Sequence, residues 1–147
     1  MKEIFVKSYR ELTKKELYNI LKLRSEVFVV EQNCVYQDID SKDQKAYHIF
    51  FKIDEKIKGY TRIFKPGDYF ELSSIGRVVV SKEERKLNNG SELIIASINA
   101  IEEIFNEKKI KISAQKYLEN FYKTFGFIST GKEYLEDGIP HIAMVKN

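Results

Sequence analysis

The stretch IGRVVVSKEERKLNNGSELIIASINAIEEIF, residues 75–105, decides the fold. IGRVVV (75–80) is an apolar run of strand length, and ELIIASINAIEEIF (92–105) carries Ile94, Ile98, Ile101 and Phe105 along one helical stripe. Between them lies the polar SKEERKLNNGS (81–91). A loop that enters a helix presents backbone N–H groups without partners, and the helix dipole adds partial positive charge. Together these make an anion site suited to phosphate. Close approach of the main chain needs small residues or left-handed dihedrals, which Gly90 supplies freely and Asn88 or Asn89 at modest cost. Lys82, Arg85 and Lys86 add cationic charge, so the loop reads as a pyrophosphate cradle. A polar turn with a helix cap is the alternative. Neither G-x-x-x-x-G-K-[ST] nor G-x-G-x-x-G is present.

Working outward, EIFVKSY (3–9) reads as a first strand. Thr13 caps a helix with Glu16 three residues on, as in a capping box, and Ile20, Leu23, Val27 and Val30 form its apolar face until it fades near Glu31. NCVYQDIDSKDQK (33–45) is polar and broken. AYHIFFKI (46–53) and IKGYTRIFK (57–65) flank Asp54-Glu55-Lys56 as a hairpin, and Pro66-Gly67-Asp68 turns the chain into YFELSSIGRVVV (69–80). After the 90–106 helix come a short strand at Lys111–Ala114 and a short helix with Leu118, Phe121, Tyr122 and Phe125 on one face, stopped by Gly126. FISTGKEYL (127–135) and PHIAMV (140–145) make a final hairpin about Glu136-Asp137-Gly138. The order β-α-β-β-β-α-β-α-β-β predicts an α/β (α+β) fold: a mixed, mostly antiparallel sheet of six to seven strands with helices on both faces.

The 147 residues suit one domain over 1–147. Hydrophobic residues at 43% and charged residues at 32% are ordinary for a soluble globular chain. The net charge of +3 is mild, basic residues are interspersed with 22 acids, and most aromatics fall at core spacing, which argues against nucleic acid as a partner. One cysteine, Cys34, allows no internal disulfide and reads as a small buried hydrophobe. No apolar run has the length of a signal core or a membrane span. We expect a cytoplasmic protein, a monomer or homodimer, with no membrane partner and no metal, since His, Cys and carboxylates do not cluster at ligand spacing.

Arg85-Lys86-Leu87-Asn88-Asn89-Gly90 resembles the R/Q-x-x-G-x-G/A acetyl-CoA loop of the GNAT N-acetyltransferase superfamily. Val78-Val79-Val80 precede it at the family's spacing, and Phe121-Tyr122-Lys123-Thr124-Phe125-Gly126-Phe127 is similar to its later F/L-Y-x-x-x-G-F motif. VFVVEQNCVYQDID (27–40), IGRVVVS (75–81), NFYKTFGF (120–127) and YLEDGIPHIAM (134–144) look like its ElaA-like branch, and the match runs from about residue 12 to the C-terminus. The first loop glycine of the family falls on Asn88, and the asparagine that often opens the family's last helix falls near Gln115.

The resemblance implies transfer of an acetyl group from acetyl-CoA directly to a primary amine of a small-molecule or peptide acceptor. It implies that residues 78–80, residues 85–91, Gln115, Asn120 and Tyr122 hold the coenzyme, with loop amides up to Ser91 on the diphosphate and amides about Val78 and Val80 on the thioester arm. It makes Tyr122 the acid that protonates the departing thiolate, although periodicity by itself puts Tyr122 on the core stripe of its helix. An ammonium substrate needs a base. The place where some members carry a glutamate falls near Ser73-Ser74, leaving His48, His141 and Glu31 as candidates. Arg62 and Arg77 interrupt apolar strands: they either pair internally with Glu31, Asp38, Asp40 or Glu71, or bind a carboxylate on the acceptor. Asp38 and Asp40 with Tyr36 alternatively line a site for a cationic amine. Two rival readings are a coenzyme-binding module without turnover and an aromatic-rich nucleic-acid binder.

Overall fold

The structure, a computed structural model, describes residues 2–85 and 87–147. The elements are β1 (Lys2–Ser8), α1 (Lys14–Arg24), β2 (Tyr47–Ile53), β3 (Lys56–Phe64), β4 (Ser73–Val80), α2 (Asn89–Ala100), β5 (Ile110–Gln115), α3 (Glu119–Lys123), β6 (Phe127–Glu136) and β7 (Ile139–Lys146). This is the expected order. The strands form one seven-stranded sheet in the order β1-β2-β3-β4-β5-β7-β6, antiparallel everywhere but between β4 and β5.

Local sequence sets the element boundaries. Thr13 Oγ1 accepts from Glu16 N at 3.0 Å while Glu16 Oε1 accepts from Thr13 N at 2.9 Å, the capping box read from the sequence. Asp54 and Glu55 alone make the first hairpin turn, both with positive φ (50° and 67°), and Lys56 pairs with Ile53 as part of β3. Two residues of that hand match the twist of the flanking strands better than the three-residue turn expected. Beyond Arg24 the first helix continues as π-helical turns over Ser25–Glu31. The wider turn shifts its apolar face: Phe28 is buried, whereas Val30, assigned to that face by α-helical spacing, is 71% exposed.

Two cores lie on opposite faces of the sheet. Strand alternation sends Ile49 and Phe51 to one face, with Leu93, Ile94 and Ile101 of the second helix, Tyr122 of α3, and Ile142 and Met144 of β7. The intervening Phe50 faces the other core, with Ile20 and Leu23 of α1, Val27 and Phe28. Gly59 leaves room for the ring of its cross-strand partner Phe51 on β2, since a Cβ there would lie 2.0 Å from that ring. Among the described residues no helix is long and apolar enough to cross a membrane.

Candidate active site

The sheet comes apart at its centre. Strands β4 and β5 pair in parallel at Ser73–Ile110 and Ser74–Lys111, and no pairing follows, although β4 runs on to Val80 and β5 to Gln115. On its other side β4 stays paired with β3, but the register slips so that Arg77 and Val78 together oppose Thr61. Arg77 takes φ 51°, a left-handed value that disfavours a bulky side chain. Such a bulge bends a strand and increases its twist, which here turns β4 away from β5. The backbone edge of β4 that would have continued the ladder faces a cleft of about 360 Å³ instead.

At one end of the cleft is the loop into α2. Asn88 adopts the left-handed conformation (φ 59°, ψ 17°) and gives α2 no side-chain cap. Among the described residues no side chain caps the first-turn N–H groups of α2, as an anion site requires. Gly90 was expected to provide the unusual dihedral. It lies in the first helical turn without a positive φ, so that part falls to Asn88. What Gly90 provides is space, because a Cβ there would meet nothing nearer than the Phe121 ring at 3.8 Å. Asn89 is buried and braces the loop, with Nδ2 donating to the Glu84 carbonyl (2.8 Å) and Oδ1 accepting from Lys2 Nζ (2.7 Å). Ser91 sits in the same first turn, and Leu87 is 65% exposed beside it. Lys86 lies outside the described residues. Arg85 donates from Nε to the Val80 carbonyl (3.0 Å) and from Nη2 to Glu31 Oε1 (2.8 Å), with a second, close contact from Nη1 to Glu31 Oε2.

Tyr122 and His141 reach the cleft from opposite faces of the sheet. Tyr122 belongs to the core beneath α2, packs edge-on to Phe127 and Phe121, and lines the cleft. Burial pushes its phenol above the ordinary value, which keeps it protonated at neutral pH. On β7, His141 alternates with the core residue Ile142 and so faces the other way. Its Nδ1 lies 2.7 Å from the Ile139 carbonyl, which can only accept, so Nδ1 donates there, and in the neutral ring the lone pair is on Nε2. Nε2 is 3.5 Å from Glu136 Oε2. Glu136 Oε1 accepts from Ser113 Oγ at 3.2 Å, Ser113 in turn contacts the Tyr134 hydroxyl closely, and the Tyr134 ring stacks on His141. Sequence reasoning named His141 and missed these three partners. The cross-strand register Tyr134–His141–Gln115 assembles them, and that register is invisible before the strands pair. Gln115 lines the same wall.

The arginines of the strands are paired within the protein. Arg62 meets Asp40 (Nη2–Oδ2 2.5 Å) and Asp43 (Nη1–Oδ1 2.9 Å). Arg77 meets Asp38 (Nε–Oδ1 2.7 Å) and, at 3.4 Å, Asp40. The buried Arg24 of α1 adds bonds to Asp38 and Asp43 at 2.8 Å each. Three cations and three anions balance, and they fasten the 33–45 segment over the sheet. Asp38 also accepts from the Tyr36 hydroxyl at 3.0 Å, so its carboxylate is fully engaged. Tyr36, Arg77 and Glu31 line the cleft. The hydrogen bond from Arg85 holds the Glu31 carboxyl below the usual range, which weakens Glu31 as a base. Cys34 donates to the Asp137 carbonyl at 3.3 Å and ties this segment to the β6–β7 turn.

Two of the candidate residues, His48 and Asn120, lie away from the cleft walls. His48 is fully buried and lies outside the cleft: strand alternation turns it toward α1, where Nδ1 accepts from Tyr60 Oη (2.6 Å) and Nε2 donates to the Asp43 carbonyl (2.9 Å). With both nitrogens engaged and burial lowering its pKa, it cannot take a proton from an acceptor. Asn120 is exposed on α3 and is not among the cleft walls, because the turn that aims Tyr122 inward points residue 120 out.

Residues 9–147 match the family model described as an acetyltransferase (GNAT) domain. The chain is 41% identical to protein ElaA of Escherichia coli K12 over 140 residues, 94% of this chain and 92% of that protein. Its fold superposes on the crystal structure of E. coli ElaA with TM-score 0.93 at 40% identity, covering all of both chains. An acyl-CoA N-acyltransferase from Pseudomonas aeruginosa gives 0.92 at 37% identity, covering 99% of each chain. With the parted strands over a cleft that Arg85 of the loop and Tyr122 of the FYxxxGF segment both line, this chain belongs to the GNAT acetyltransferase family, in its ElaA-like branch.

Proposed function

We propose that the protein acetylates a primary amine with acetyl-CoA in this cleft, by direct transfer. The observation that carries the reading is the parting of β4 from β5 after Ser74, in a cleft that extends to the loop before the uncapped N-terminus of α2. The residues fit such a co-substrate: first-turn amides of α2 for a diphosphate, open approach over Gly90, and a free strand edge at 78–80 beside Gln115 for an amide-bearing arm. Acetyl-CoA supplies an activated acetyl thioester whose sulfur leaves as thiolate. His141 Nε2 takes one proton from the acceptor ammonium and frees the nitrogen lone pair. Nitrogen then forms its bond to the acetyl carbon as the carbon–sulfur bond breaks. Tyr122 gives its proton to sulfur and regains one from the second N–H lost by nitrogen, so protons balance. The acceptor is a small molecule or a peptide.

Calorimetry with acetyl-CoA and thiol release against an amine library test this. Tyr122→Phe should leave coenzyme affinity within about twofold and lower kcat by roughly 10²-fold or more, as loss of a general acid does. Equal thiol release by wild type and variant refutes the role of Tyr122, binding without release refutes catalysis, and no coenzyme binding refutes the whole reading.

A further inference from the structure

We infer that Glu136 receives the ammonium group of the acceptor beside His141, and that the acceptor is a cationic amine with no carboxylate next to its reacting nitrogen. This rests on the acetyl-transfer reading above. The charges that line the cleft carry it. Arg62, Arg77 and Arg85 each bond to a carboxylate of the protein, and among the described residues no lysine lines the cleft. Among the described residues that line the cleft, a carboxylate on the acceptor would find no uncommitted cation, and seating on Arg62 or Arg77 would upset a balanced buried cluster.

Negative charge is offered instead at the β6–β7 end. Glu136 is 46% exposed at its side chain and its ion-pair partner is His141, which can be neutral, while Asp137 lines the cleft beside it. Ser113 donates to Glu136 Oε1 and leaves Oε2 toward Nε2 of His141. An ammonium bound by Oε2 therefore sits beside the lone pair that would take its proton. Once the proton has moved to Nε2, the imidazolium pairs with the same carboxylate, so Glu136 serves first the substrate and then the base.

The test compares amines matched except for a carboxylate next to the nitrogen: alaninamide against alanine, and glycinamide against glycine, with thiol release measured at saturating acetyl-CoA. The carboxylate-free partner should have the higher kcat/KM by about tenfold, the factor that one ion-pair-sized interaction supplies. Glu136→Gln should raise KM for alaninamide by a similar factor with acetyl-CoA affinity unchanged. Free amino acids reacting as well as their partners, or an unchanged KM in Glu136→Gln, overturn the inference while leaving acetyl transfer intact. If no amine releases thiol, acetyl transfer falls, and the amine site is read by NMR on the CoA complex. The chain has two histidines, so the His141 ring signal is readily assigned. A shift on adding alaninamide that Glu136→Gln abolishes supports the site, and the absence of a shift overturns it.

Discussion

Asp40→Asn isolates the charge that the 33–45 segment contributes to the sheet. Asp40 bridges Arg62 and Arg77, and its side chain is 19% exposed. Burial raises its carboxyl, but the Arg62 hydrogen bond and the charges of Arg62 and Arg77 outweigh burial and hold it at about 2, against an ordinary 3.8. A folded-state value below the unfolded one stabilises the fold above the unfolded value, and that stability is lost as pH falls through the folded value. The difference corresponds to about 2.4 kcal/mol at pH 7, of which about 1.3 remains at pH 3 and almost none below pH 2. Asparagine keeps the shape and one acceptor oxygen but not the charge. Urea unfolding at pH 7 and pH 3 should show a wild-type advantage that narrows by about half. At pH 7 calorimetry should show a melting temperature lower by about 5–10 °C. A gap that stays constant with pH, or one under about 0.5 kcal/mol at pH 7, would mean that the carboxylate charge is not what holds this segment down.

Two further changes probe the scaffold. Gly59→Ala should destabilise the protein by about 3 kcal/mol or more in chemical denaturation, since its Cβ would overlap the buried Phe51 ring; a loss below about 1 kcal/mol would show that the ring can move aside. Asn88→Val forces a β-branched residue into left-handed backbone and should cost about 1–2 kcal/mol with weakened acetyl-CoA binding, while Asn88→Gly should preserve both. Equal behaviour of the two variants would separate the backbone conformation at 88 from coenzyme binding.

The readable parts of the site were those written in short stretches. Thr13 and Glu16 lie three residues apart, so their capping box needs nothing beyond one helical turn. Asn88 took the left-handed conformation that its short amide tolerates and its place before α2 demands. By contrast, the partners of His141 come from β5 and β6, brought together across β7. His48 and His141 each lie in an apolar strand and look alike in the chain. What separates them is which face each strand turns to the helices, and Val30 went astray for a related reason, since a π-helical turn rotated the face that α-helical spacing assigns.

The chain by itself determined the succession of strands and helices, the strand–loop–helix passage at 75–105, and the FYxxxGF segment that identifies the family. Each depends on neighbours within a turn or a strand, where backbone geometry acts directly. Tertiary structure decided that β4 and β5 part after Ser74, that the arginines of the sheet are neutralised by Asp38, Asp40 and Asp43, and that Glu136 stands beside His141. The arginine–aspartate bonds join residues 14 to 39 positions apart. Such pairs form only where the packed sheet brings distant charges together and keeps water away, which makes them properties of the fold as a whole.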